Sequence, residues 1–368
     1  MNIEILAAAS PGEVRVAAVQ AGALRDYALW RPGAPDGVGD LYRGRVIARV
    51  PAMAGAFVAL DGAEGFLPDS EGGKGLTEGS ILAVQVTRAA QGGKGPRLTA
   101  LVPEADRNPG GSLPPALLRR GPGAVQRLAE RYPDAPVRVD DPALLHALRP
   151  VLGERLSLAA RVLDDSLETA IEALAEPEVT LPSGVRLSIH ATPALVAIDV
   201  DAGGALAGRG GRADRHMAIN RDVLPVLAAQ IRLRNLSGAI LVDFAGLPAR
   251  RRAGLGPALA EALATDPLRP RLLGFTALGL AEIVRARVHP PLHEMLAGPH
   301  AAGLAGLRAA ARRVAGEPAW TPMLRAAPAV VRALQDDPAA LEDLARRAGR
   351  KLSLRSDPSL RGTEWDLA

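Results

Sequence analysis

Residues 194–203 read ALVAIDVDAG, and residues 238–244 read GAILVDF. Each is a short apolar run that ends in aspartate: Asp199 and Asp201 in the first, Asp243 in the second. Asp199 and Asp201 are two positions apart, so on a strand both side chains leave the same face. A carboxylate at the end of a buried strand is costly unless it is solvated, paired or metal-bound. In open α/β sheets the carboxyl ends of the strands are where ligands bind. Two readings stand. Each aspartate caps the turn that follows it, or, if the two strands are neighbours, three carboxylates meet at one edge. Such an edge suits a hard cation, which is held by one or two carboxylates together with waters and substrate phosphates.

The flanking sequence has the pattern of an α/β unit. GVRLSIHAT pairs with ALVAIDVD around Pro193, and a helix follows in MAINRDVLPVLAAQIRLRN. After GAILVDF come a helix in RAGLGPALAEALA, a strand in RLLGFTA and a helix in GLAEIVRARV. The nearly continuous apolar strands predict burial on both faces. Upstream, residues 2–35 alternate as short strands, and 36–103 form short β pieces punctuated by glycine, which suits a small closed barrel. Residues 104–136 are rich in Pro, Gly and Arg and read as a linker with one helix. Residues 137–182 run strand, helix, strand, helix. Residues 291–321 read as loop and helix. The tail has helices at 328–336 and 338–348, with Pro338 at a first helical position and Gly349 just past an end, followed by a strand in KLSLR.

With 368 residues the chain can build two or three domains. Aromatics are 3%, so aliphatic side chains must fill the interior. The net charge of +4 is compatible with a polyanionic partner, but placement has to decide that. The chain has no cysteine, which excludes disulfides and any cysteine zinc site. It shows neither a signal-peptide pattern nor an apolar run of bilayer-spanning length, so the expected location is the cytoplasm, with no membrane partner.

The blocks ALVAIDVDAG, Ile219-Asn220, QIRLRNLSGAILVDF and GLAEIVRARVHPPL together resemble the core of the ribonuclease E/G family. VRVAAVQAGALRDYALWRPG, DLYRGRV, AGAFVALDGAEGFLP and the tail APAVVRALQDDPAALEDLARRAGRKLSL resemble it as well. The resemblance implies a mixed α/β, multi-subdomain fold. An OB-type RNA-binding barrel (36–103) is inserted in a ribonuclease-H-like subdomain (1–35 and 137–182), with a shortened sensor or linker segment at 104–136. A DNase-I-like α/β catalytic subdomain (183–290) follows, then a linker in place of a zinc link (291–321) and a small α+β C-terminal domain (322–368). The implied activity is Mg2+-dependent endonucleolytic cleavage of single-stranded RNA in RNA processing or decay. The alternatives are an RNA-binding module of the same descent that no longer cleaves and a structural adaptor that holds other factors.

Carried over by position, Asp199 and Asp243 match the family's metal-binding aspartates, and Asp201 stands where the family has an asparagine that orients the site. Phe57 and Phe66 match barrel aromatics that stack on bases, and Lys94, in GGKG, matches a lysine near the scissile bond. Stacking aromatics beside a basic groove make a usual single-strand platform. Phe57 lies in AFVAL and reads equally as barrel core; Phe66 follows a turn and is the better stacking candidate. Arg43, Arg45 and Arg49 read either as a basic RNA-binding face or as a solvated one.

The sequence departs from the family pattern in several places. Thr276-Ala277 replaces a Ser-Arg, so an active-site arginine is expected to be missing. The cysteine zinc motif is absent around Gly298–Ala301. His289, His293 and His300 remain, but Pro290 and Pro291 argue against a shared helical face. No zinc is therefore expected, and a homodimer would not be zinc-linked. The Arg-Thr pair with which the family holds a 5′-terminal phosphate is absent between Pro103 and Leu181. Arg119, Arg120 and Arg127 are the arginines that could replace it, with Gly-Pro-Gly after Arg120 as an anion nest.

Overall fold

The N-terminal alternation becomes three antiparallel strands, β1 (Ile3–Ser10), β2 (Glu13–Gln20) and β3 (Ala23–Trp30). The computed structural model describes residues 2–107, 114–203 and 211–368. The chain forms two units. One comprises Met1–Gly33, Leu128–Arg287 and Pro291–Ala368; the other comprises Ala34–Arg127 with Val288–Pro290.

The second unit is a barrel. Strands β4 (Leu41–Val50), β5 (Gly55–Ala59), β6 (Glu64–Pro68), β7 (Ile81–Arg88) and β8 (Arg97–Thr99) join in the order β5-β6-β8-β7-β4, and a β4–β5 pairing closes the ring. This is a closed five-stranded barrel of the kind an OB-type fold has. Val46, Ala56, Val58, Leu67, Val84, Val86 and Leu98 fill it. Gly44 lets β4 cross the interior, because a Cβ there would press on Val58 and Val84. The stretch expected to be a linker with one helix contains a further strand, β9 (Ala116–Arg119), paired with β4. Its four residues are too few to show a period. Residues 108–113 of that stretch lie outside the described residues.

Helix α1 (Ala124–Arg131) begins in the second unit and ends in the first, where β10 (Val137–Val139), α2 (Pro142–Leu152), β11 (Leu156–Leu158) and α3 (Asp165–Glu172) follow in order. Strands β10 and β11 extend the N-terminal sheet to β11-β10-β1-β2-β3. Asp141 and Asp164 cap α2 and α3 by accepting bonds from the N–H of Leu144 and Leu167.

The sheet that holds the aspartates contains β12 (Glu178–Thr180), β13 (Arg186–Ala191), β14 (Val196–Asp201), β15 (Gly238–Asp243), β16 (Arg271–Phe275) and β17 (Ala281–Arg285). Helix α4 (Arg212–Leu233) connects β14 to β15; α5 (Ala249–Arg252) and α6 (Gly256–Leu263) lie between β15 and β16. The strand order is β12-β13-β14-β15-β17-β16, and β14–β15 is its one parallel pair. Two expectations are corrected here. GLAEIVRARV is not a helix: AEIVR is strand β17, inserted between β15 and β16. Its burial alternates (Ala281, Ile283 and Arg285 in; Glu282 and Val284 out), and period 2 wins over a short helical pattern. Nor are β14 and β15 buried on both faces. Ile198, Val200, Ile240 and Val242 pack on Leu224, Leu227 and Ile231 of α4 and on Leu259 of α6, whereas Ala197, Asp199, Leu241 and Asp243 alternate onto the other, more open face. Both helices use one side of the sheet, so the strands are amphipathic.

The C-terminal part has α7 (Leu292–Met295), α8 (Gly298–Gly316), β18 (Met323–Ala326), α9 (Pro328–Gln335), α10 (Pro338–Ala348), β19 (Ser353–Ser356) and β20 (Trp365–Leu367). Its sheet, β19-β18-β20, shares a core with α8, α9 and α10. Gly349, at φ 66°, ends α10 in the left-handed conformation. Among the described residues no helix is long and apolar enough to cross a membrane.

Candidate active site

Parallel pairing of β14 with β15 makes Asp199 and Asp243 direct register partners. Neighbouring strands lie about 4.8 Å apart, so the two carboxylates stand side by side on the helix-free face. An open cavity of 320 Å3 surrounds them, lined by Asp199, Asp201, Gly203, His216, Asp243, Gly246 and Arg252 among others. Partial burial, followed by the charges of Asp243 and Asp201, pushes the Asp199 carboxyl above its usual range, and Arg252 opposes that rise.

The third carboxylate is bound differently. Asp201 accepts a bond from Arg186 Nη2 at 2.5 Å, across β13–β14, and one from the Gly203 N–H at 3.0 Å. The Arg186 bond first, and the Gly203 bond second, hold its carboxyl below the usual range. Asp243 accepts from Arg252 Nη1. Arg252 in turn donates Nε to the Leu247 carbonyl at 2.8 Å and Nη1 to the Gly279 carbonyl at 3.4 Å.

The turn after β15 is fixed from below by Asn220 on α4, which is fully buried. Its amide donates to the carbonyls of His216 (2.7 Å) and Ala245 (2.9 Å) and accepts from the Ala245 N–H at 3.1 Å. The His216 ring, 3% exposed, lies against Gly246, where any Cβ would overlap it. Gly246 also has φ 57°, which a side chain tolerates poorly.

Asp199 and Asp243 give two hard oxygen donors with open space in front of them, a set that fits a cation completing its shell with water and phosphate. Among the described residues no three His, Cys, Asp or Glu side chains cluster closely enough to hold an ion by themselves. His289 is bonded to Asp36 at 2.6 Å and His300 to Asp337 at 2.8 Å.

In the barrel, Phe57 and Phe66 are register partners across β5–β6. Their neighbours Ala56, Val58 and Leu67 fill the interior, so both rings are on the outer face. The core reading of Phe57 is therefore set aside. The rings meet edge to face, with centroids 5.6 Å apart, and Phe66 lies over Gly55. Arg97 is the register partner of Phe66 on β8. Arg45 is exposed, while Arg43 donates to the Pro114 carbonyl at 2.8 Å. Arg49 is tied to Asp69 and to the Gly73 carbonyl, both at 2.8 Å, and so serves the barrel's own structure. Lys94 is at the tip of the β7–β8 hairpin, bridged to Gln91, and lines an open cavity with Glu64. Lys94 and the phenylalanines belong to the barrel unit, the three aspartates to the other.

The arginines at the end of β9 and just after it are also engaged. Arg120 donates to Asp40 at 2.5 Å, the Gly121 N–H donates to the same carboxylate at 2.7 Å, and Arg119 forms a fork on Asp106 at 2.8 and 3.0 Å.

Sequence reading missed His216 and Arg252. The first carries no motif. The signal for the second was the cluster Arg250-Arg251-Arg252 soon after a strand-end aspartate, a spacing at which one guanidinium can return to the carboxylate.

The family model of the ribonuclease E/G family matches residues 149–288, which include all three aspartates and Arg252. Ribonuclease G of Escherichia coli (strain K12) is 25% identical over 402 residues, covering 80% of this chain and 82% of that protein. Ribonuclease G of Haemophilus influenzae is 26% identical over 401 residues, covering 80% and 81%. Ribonuclease E of E. coli (strain K12) is 36% identical over 130 residues, which is 35% of this chain and 12% of that longer protein. By the matched central block and by relatives that run along four-fifths of its length, the chain is similar to the ribonuclease E/G family.

Proposed function

We propose that this protein is an endoribonuclease that hydrolyses single-stranded RNA with Mg2+ held by Asp199 and Asp243. The observation that carries the reading is the direct register pairing of those two carboxylates at the open end of the one parallel strand pair of their sheet. The names of its relatives support the same class of reaction. In this reading the barrel is an OB-type RNA-binding module within a ribonuclease-H-like subdomain, residues 183–290 are a DNase-I-like catalytic subdomain, and the protein works in the cytoplasm.

Asp199 and Asp243 would hold Mg2+, which when bound would supply Lewis-acid polarisation of a phosphate and a lowered pKa for a water. The water oxygen forms a bond to phosphorus, the bond from phosphorus to the 3′ oxygen breaks, and the leaving oxygen takes a proton. The products are a 3′-hydroxyl and a 5′-phosphate. Asp199 and Asp243 orient the site, and Asn220 keeps the turn after β15 in place. By the resemblance, Lys94 is assigned a role near the scissile bond. Phe57 and Phe66 stack on bases, with Arg43 and Arg45 on the backbone.

The test is cleavage of a fluorescent single-stranded RNA with and without Mg2+, with Asp243→Asn as control. Cleavage that needs both the ion and Asp243 is expected; equal cleavage by the variant refutes the assignment. One observation favours the reading of a binding module that no longer cleaves: Arg252 already neutralises Asp243. RNA binding without cleavage at any Mg2+ concentration would establish that reading.

A further inference from the structure

We propose that Arg252 is the phosphate-binding cation of the cleavage site, parked on Asp243 until a divalent cation takes that carboxylate. The proposal rests on the reading of Asp199 and Asp243 as the cation site. An arginine at an expected position is lacking, since Ala277 stands where the family has one. The cavity nevertheless contains a guanidinium, brought in from the far side of the turn after β15.

Its stem is held firmly. Nε donates to the Leu247 carbonyl at 2.8 Å, and the Arg252 side chain is 14% exposed although it borders an open cavity. The β16–β17 turn is shaped around it: Gly279 has φ 85°, and a Cβ there would lie 2.9 Å from both Arg252 Cδ and Ala249 Cα. Only the tip is free to choose. Nη1 donates to Asp243, whose side chain is 49% exposed, and at 3.4 Å to the Gly279 carbonyl, while Nη2 makes no bond among the described residues. An anchored stem with one free Nη and the other on a half-exposed carboxylate is how an arginine can present a planar fork to a phosphate.

Electrostatics sets the order of events. Asp199 and Asp243 stand side by side, and Arg186 already serves Asp201. Without a cation, Arg252 relieves the repulsion by pairing with Asp243. A divalent ion between the two aspartates neutralises both and repels the guanidinium. The nearest remaining anion is then the phosphodiester that the same ion holds. Arg252 thus competes with the cation in the resting site and assists it in the loaded one. A purely structural ion pair would do neither.

The measurement is Mg2+ binding by calorimetry on the full chain, with Arg252→Gln as the main variant, Arg252→Ala as the second and Asp243→Asn as control. Thermal melting without Mg2+ checks folding. If Arg252 competes, Mg2+ affinity rises about tenfold in Arg252→Gln, worth about 1.4 kcal/mol. At saturating Mg2+, kcat on single-stranded RNA falls about a hundredfold, because the phosphate partner is gone. Unchanged or weaker Mg2+ binding in folded variants overturns the competition, and an unchanged kcat overturns the phosphate role. If the parent binds no Mg2+, or Asp243→Asn binds it as the parent does, the cation site itself is wrong and the proposal falls with it. If Arg252→Gln melts early, the Mg2+ affinity of Arg252→Ala decides by the same criteria.

Discussion

The helix-free face of the β12–β17 sheet and the outer face of the barrel both leave unusual groups in water, but of opposite kinds. On the sheet, two carboxylates are placed next to each other where repulsion is strongest, and arginines hold two of the three aspartates. On the barrel, two aromatic rings that would be more stable inside are turned outward and rest on each other and on Gly55. Like charges side by side have value only if something of opposite charge arrives. Half-buried rings on an outer face have value only if something flat does. The first region therefore suits chemistry on a phosphate and the second suits affinity for bases, and the two should separate cleanly by mutation.

The largest effect should come from the sheet. Asp199→Asn or Asp243→Asn should lower kcat about a thousandfold or more, since a Lewis-acid metal contributes several kcal/mol to the transition state. RNA affinity in the absence of cleavage should stay near that of the parent, because the rings proposed to stack on bases are on another unit. A filter-binding measurement in which affinity falls as far as kcat would erase the contrast between the two faces.

The barrel should show the reverse pattern. Phe57→Ala and Phe66→Ala should each weaken RNA binding by about 1–3 kcal/mol, roughly 5- to 150-fold, and leave kcat at saturating RNA unchanged. The folded barrel should tolerate both, because its interior is closed without them. A fall in kcat with binding intact would mean that the rings position the scissile bond rather than hold the strand.

How much of this was legible in the sequence differs between the faces for a physical reason. A carboxylate after an apolar run is visible because burial forbids it almost anywhere else, so Asp199 and Asp243 could be singled out before any pairing was known. The outward direction of Phe57 was not visible, because AFVAL alternates in the same way whichever face is the core; register with Phe66 and the filling of the interior by Ala56 and Val58 decide it. β17 was misread as helix because a five-residue strand among alanines and arginines satisfies both periods. The single helix-covered face of the sheet could not be read either. It depends on α4 and α6 packing on the same side, which is a matter of connection and not of composition. Arg252 was hidden in a run of three arginines, of which only the third reaches the carboxylate.

A smaller effect is expected at the third aspartate. Asp201 is paired to Arg186 at the surface, both side chains about half exposed, and does not join the register of the other two. Exposed pairs contribute little, so Asp201→Asn should change kcat by less than about threefold. An asparagine can still accept the Gly203 N–H. Loss of cleavage in this variant would make Asp201 a direct ligand and turn the contrast into one between three carboxylates and two rings.

The smallest expected effect is at the 5′ end of the RNA, where cleavage should proceed at the same rate with a monophosphate as with a hydroxyl. A sensor for a terminal phosphate needs a cationic fork and free backbone N–H groups. The segment after β9 has the parts, Arg120 and the Gly121 N–H, but both are already spent on Asp40. That carboxylate is 2% exposed and sits where a phosphate would have to bind. To displace it would leave a buried charge uncompensated, which costs several kcal/mol, more than a solvated phosphate recovers. Arg119 is as exposed as Arg120, yet it is held as a fork on Asp106. The comparison is the cleavage rate of one RNA carrying each of the two ends, where a ratio within about twofold is expected. A tenfold preference for the monophosphate, about 1.4 kcal/mol, would refute this. If that preference then vanished in Arg119→Ala and survived in Arg120→Ala, the sensor would be the Arg119 fork. The Asp40 cluster would remain what its burial makes it, an internal substitute for the phosphate.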